Sequence, residues 1–164
     1  MKKSVFVLLL FILVGYSCND SETNDNMSND DLPNTIARIS SNNDIVFVNK
    51  SSLKSQLENA QKKSGLATIK IEQLYIDVSK AVDDENVEIK QLIASNADGS
   101  IKIAYFLKEN NGSYSLDSSS TILKCEGCRD GCSPRRHANG DGYCTKCVGD
   151  YQTCTKTETL EPVE

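Results

Sequence analysis

Six of the seven cysteines fall between Cys125 and Cys154, a stretch of thirty residues with almost no other apolar side chains. Their spacing is C-x2-C-x3-C-x11-C-x2-C-x6-C. Apart from cysteine, the apolar residues there are Ala138, Tyr143, Val148 and Tyr151. That set is too small to bury a hydrophobic core, so covalent or metal bonds must hold the segment.

Three chemistries fit the pattern. Six cysteines pair evenly, and three disulfides among Cys125, Cys128, Cys132, Cys144, Cys147 and Cys154 are the expected state in an oxidising compartment. Fifteen pairings are open to six cysteines, and spacing does not choose among them. The alternative is zinc on Cys125, Cys128, Cys144 and Cys147, whose C-x2-C-x15-C-x2-C spacing suits a zinc ribbon. It leaves Cys132 and Cys154 over, and His137 could replace one thiolate. Thiol redox work by the two C-x2-C pairs is the third. Arg129 and Val148 follow the two pairs where c-type haem attachment needs His. The expected cofactor is none, with zinc as the alternative.

The amino terminus explains the compartment and the odd cysteine together. Lys2 and Lys3 precede ten unbroken apolar residues, Val5 to Val14. A helix crossing a bilayer needs about 20, so the run has the length of a signal-peptide h-region. Gly15, Tyr16 and Ser17 then lead to Cys18. This segment resembles the relaxed lipobox of bacterial cell-envelope lipoproteins. The resemblance implies cleavage before Cys18, a diacylglycerol thioether on its sulfur, and anchoring to a membrane, with the outer membrane expected. Lipidation would also remove the unpaired thiol that an exported chain with seven cysteines otherwise carries.

Residues 18–34 follow as an acidic, Asn- and Ser-rich tether without Lys or Arg. Such a composition buries too little surface to offset its ordering entropy. Losing Lys2 and Lys3 takes the formal charge from −5 to −7, which argues against nucleic acid as a partner.

Residues 35–124 read as an α+β domain. Asp44 to Asn49, rich in β-formers at Ile45, Val46, Phe47 and Val48, suggest a short strand. Ser51 or Ser52 can cap a helix whose apolar face is Leu53, Leu57 and Ala60, with a stop at Gly65. In Thr68 to Val78 the apolar alternation slips phase between Ile71 and Leu74, the mark of a β-bulge. Val87–Ser95 and Ser100–Lys108 flank an Asp98-Gly99 turn, and Asn111-Gly112 makes a second turn into Ser113–Leu116. Thr121–Lys124 is the last expected strand. The sum is one helix packed on a four- to five-stranded antiparallel sheet, followed by a small disulfide-rich module over residues 125–154 and a polar tail over 155–164. The outline is similar to cystatin-like folds, which would imply a small protease inhibitor, although no inhibitory motif accompanies it.

No catalytic residue is expected. His137 beside Cys132 or Ser133 could be imagined as a base and nucleophile, but a paired cysteine cannot attack. Asn139 to Gly142 departs from a calcium loop at its first and last ligand positions. The loop from Ser133 to Tyr143, with Arg135, Arg136 and His137, is the expected partner contact, facing an envelope protein or an anionic surface. The expected role is therefore binding or structure at a membrane surface.

Overall fold

The computed structural model describes residues 35–42, 44–63, 68–149 and 153–160. The leader, Cys18, the tether and the expected stop at Gly65 lie outside them. In chain order the elements are β1 (Ala37–Ile39), β2 (Ile45–Phe47), α1 (Lys50–Lys63), β3 (Gln73–Lys80), β4 (Glu88–Ser95), β5 (Ile101–Asn110), β6 (Ser113–Leu116), β7 (Thr121–Glu126), β8 (Pro134–Arg136), β9 (Gly142–Cys144) and β10 (Thr155–Leu160). One helix stands against a curled antiparallel sheet, as expected, but that sheet has eight strands, not four or five, and β8 and β9 form a separate pair. The extra strands escaped for physical reasons. A three-residue β1 is too short to show a period. The polar segment after Cys154 buries little, yet all six residues of β10 pair with β7, from Thr155 opposite Glu126 to Leu160 opposite Thr121.

The long β5 organises the sheet. Its first half pairs with both β4 and β7, and its second half pairs with β6 through the Asn111-Gly112 turn. Both turn residues have positive φ, 49° and 74°, as a type I′ hairpin demands. Beyond these strands lie β3 next to β4, β10 next to β7, and β1 then β2 next to β6.

Alternation along the strands divides the buried residues into two clusters. Leu74, Leu92, Ala94, Ile103, Tyr105 and Ile122 pack with Leu53 and Leu57 of α1. Ile93, Ala104, Leu123 and Cys125 point the other way and pack with Cys128 and Cys132. The central strands are thus covered on both faces, which is why β4 carries the run Leu92-Ile93-Ala94 where a one-sided strand would alternate.

The helix differs from expectation in two details. Its cap is Asn49, whose Oδ1 accepts the Ser52 N–H at 2.9 Å. The third buried position is Gln61, not Ala60, and it is buried for a reason: its Oε1 accepts the Ile69 N–H at 2.9 Å. Glu58 does the same for Ile71 at 2.7 Å. The helix therefore supplies acceptors to an extended segment that has no strand partner of its own. The phase slip is a bulge as expected. Gln73 is the register partner of Ser95, while the Glu72 N–H also donates to the Ser95 carbonyl at 2.9 Å, so two residues oppose one.

Candidate functional site

Disulfides join Cys125 to Cys144, Cys128 to Cys147 and Cys132 to Cys154, with Cα separations of 5.7, 5.9 and 5.4 Å. The two C-x2-C pairs are thus laced to each other, and the third bridge ties the segment to the start of β10. Bridges of this kind belong to an oxidising environment. The four cysteines of the zinc-ribbon spacing are all in bridges. The sulfurs of Cys128, Cys132 and Cys147 lie within 4.8 Å of one another, but each is bonded to another sulfur and so is no thiolate ligand in this form.

The stapled segment lies on the back of the sheet. Lys102 of β5 donates to the carbonyls of Arg129 and Gly131 at 3.0 and 2.7 Å. Burial lowers its pKa, with Asp130 pulling the other way. The buried Gln91 of β4 donates to the Pro134 carbonyl at 3.1 Å. Gly131 has φ +91°, and a Cβ there would sit 2.3 Å from the Lys146 carbonyl oxygen. Gly131→Ala is therefore expected to cost about 2–3 kcal/mol, from strain at positive φ and a backbone clash. A urea midpoint measured without reductant checks this.

The β8–β9 pair decides which basic residues face solvent. Side chains on a strand alternate. Pro134 and Arg136 turn inward, and Arg135 and His137 turn outward. Arg136 is 1% exposed, which corrects the expectation that it meets a partner. Its guanidinium donates to the Thr121 carbonyl at 2.6 Å, the Gly140 carbonyl at 3.0 Å and Thr121 Oγ1 at 3.3 Å. It also stacks 4.6 Å from the Phe106 ring centroid. Burial lowers its pKa and the Glu158 charge opposes that shift. Glu158 of β10 accepts the Gly142 N–H at 2.8 Å and pairs with Lys156 at 2.9 Å. Burial raises the Glu158 pKa, but Lys156, the Gly142 N–H and Arg136 together hold it below the usual carboxylate value.

The outward face is a strip of cation, imidazole and phenols. Tyr143 is the register partner of Arg135. His137 meets it edge-on at 6.3 Å between ring centroids. Tyr75 of β3 extends the strip: burial and the Asp77 charge push its phenol pKa up, and Arg135 draws it down. Arg135 reaches Asp77 at 3.8 Å, and His137 reaches Asp83 at 3.6 Å. The Ala138 N–H donates to Asp83 at 2.7 Å and is the main reason its carboxyl lies below the ordinary value, with His137 adding to the effect. Tyr75 and Tyr143 are 44% and 37% exposed, so two phenol rings stand half-open to solvent beside Arg135 and His137.

Among the described residues the strip holds no assembled nucleophile. Cys132 is bridged, and the Ser133 hydroxyl donates to the Gly131 carbonyl at 3.2 Å, not to His137. Asn139 and Asp141 bond to each other in a turn. Tyr75 was missed by sequence reasoning because it lies some sixty residues from the loop. Its one signal was an aromatic in the polar phase between Leu74 and Ile76. Among the described residues no helix is long and apolar enough to cross a membrane. Compared with protein-family models, curated proteins and solved structures, the chain matches none.

Proposed function

We propose that this is a lipid-anchored cell-envelope protein that acts by binding, not by catalysis. The carrying observation is cysteine parity. Six of the seven cysteines are paired with one another, so Cys18 is left over at the position where a lipobox would acylate it. The disulfides support export, and an acyl anchor of at least two chains gives stable membrane attachment. The outer membrane is the proposed location. The strip of Tyr75, Arg135, His137 and Tyr143 is the proposed contact with an envelope protein or an anionic surface. Tyr and Arg on a rigid support are the residues that dominate protein contacts.

Intact mass of the mature protein tests the anchor. Cleavage before Cys18, an added diacylglycerol, and a gain of six hydrogens on reduction are expected from three bridges. An uncleaved, unacylated chain as the stable cellular form overturns it. For the strip, an Arg135→Ala/Tyr143→Ala variant of unchanged stability should lose its cross-linked envelope partners in cells. Unchanged cross-linking would remove the strip from the reading.

A further inference from the structure

The outer edge of β3 has no strand beyond it among the described residues. The Ala81 N–H donates to the Val87 carbonyl, which continues the pairing of Lys80 with Glu88. Alternation then turns the backbone groups of Gln73, Tyr75, Asp77 and Ser79 toward β4, and those of Leu74, Ile76, Val78 and Lys80 outward. A row of outward N–H and C=O groups is a template for another strand. Proteins usually blunt such edges with proline, inward charges or short length. Here the eight residues of β3 contain no proline, and lysine appears only at the end. The edge strand β2, by contrast, has three residues.

The side chains of β3 choose the occupant. Read from Gln73 to Ser79, the strand is polar, Leu, polar, Ile76, polar, Val, polar, the same in both directions about Ile76. An antiparallel copy related by a two-fold axis at Ile76 sets Leu74 opposite Val78 and Ile76 opposite itself on the core side. On the other side it sets Tyr75 opposite Asp77 and Gln73 opposite Ser79. No like charges stand directly opposite each other. Sliding the register one way brings Asp77 against its own copy and Leu74 against Lys80. Sliding it the other way carries Val78 past Leu74 to the bulge at Glu72. Tyr75 and Val78, each nearly half exposed (44% and 46%), are the side chains that gain cover.

We propose that the chain pairs with a second copy of itself through β3, joining two eight-stranded sheets across a two-fold axis at Ile76. The contact is isologous, so it closes as a dimer and does not propagate. One short ladder makes a small interface, of the size found in weak associations. This inference does not use the lipid anchor; it shares Tyr75 with the proposed partner strip, whose own test alters Arg135 and Tyr143 and leaves β3 unchanged.

Sedimentation of the full chain carrying Cys18→Ser, over a concentration series reaching the millimolar range, tests it. A monomer–dimer equilibrium is expected. Val78→Pro removes an outward N–H that the monomer does not use, and should abolish the dimer while the far-ultraviolet spectrum is retained. Tyr75→Lys sets a cation against the partner's Asp77 twice and should tighten the dimer several-fold. Tyr75→Asp sets two like charges together twice and should weaken it roughly tenfold. A wild-type chain that stays monomeric throughout overturns the proposal. So does a dimer on which the two Tyr75 variants act alike, and that comparison decides the matter even if Val78→Pro unfolds the chain.

Discussion

Arg136→Ala will cost the fold about 3–5 kcal/mol, the range found when one member of a buried polar arrangement is removed. The adjacent Arg135→Ala will cost no more than about 0.5 kcal/mol, as for an ordinary surface change. The contrast follows from strand parity. Arg136 reaches inward from β8 to β7 and the Phe106 ring of β5, and its guanidinium hydrogen bonds go to Thr121 and Gly140. Truncation opens a cavity over Phe106 and strands two carbonyls that no other side chain replaces. Arg136→Lys should fall between wild type and alanine, because an ammonium keeps the charge but not the planar fork that serves both carbonyls at once. Urea midpoints of the three variants, taken without reductant and with unchanged slope, read these differences directly. If Arg135→Ala proved the costlier change, the inward and outward assignment of β8 would be wrong, and with it the exposed strip.

What the residues reveal on their own, and what they hide, follows the same parity logic. The helix, both hairpin turns and the bulge were legible because each has a local cause: apolar spacing in Leu53 and Leu57, glycine after Asp98 and Asn111, a phase slip before Leu74. The back of the sheet was not legible. Nothing local says that Leu92-Ile93-Ala94 feeds two clusters, or that Lys102 caps the carbonyls of Arg129 and Gly131, about thirty residues away. The cysteine stretch looked self-contained because its own apolar residues are so few. It borrows Ile93, Ala104 and Leu123 from the sheet as its core. Three adjacent basic residues likewise looked like one patch until the strand period sent the middle one inward.

Replacing both Cys125 and Cys144 by alanine will lower stability by more than replacing either of the other pairs. The loops closed by the three bridges are nearly equal, with sequence separations of 19, 19 and 22. Chain entropy therefore contributes about 3 kcal/mol in each case and cannot rank them. Packing can. Cys125 is wholly buried on β7 among Leu123 and Ala104, and its bridge fixes β9, hence Tyr143 and its register partner Arg135, to the sheet. Cys128 is buried as well and Cys147 is half-buried like Cys144, but the Cys128–Cys147 bridge joins two loops and no strand of the sheet, and the exposed Val148 beside it adds nothing to the core, so losing it removes less beyond the entropy term. Thermal unfolding of the three double variants under oxidising conditions should show the Cys125–Cys144 pair lowest and the Cys128–Cys147 pair highest. In a chain whose Cys18 is acylated or replaced by serine, the single change Cys125→Ala adds a chemical readout: one titratable thiol, at Cys144, with the other two bridges intact. A module held instead by metal on Cys125, Cys128, Cys144 and Cys147 would respond differently, since losing any one ligand would release the other three together as reactive thiols.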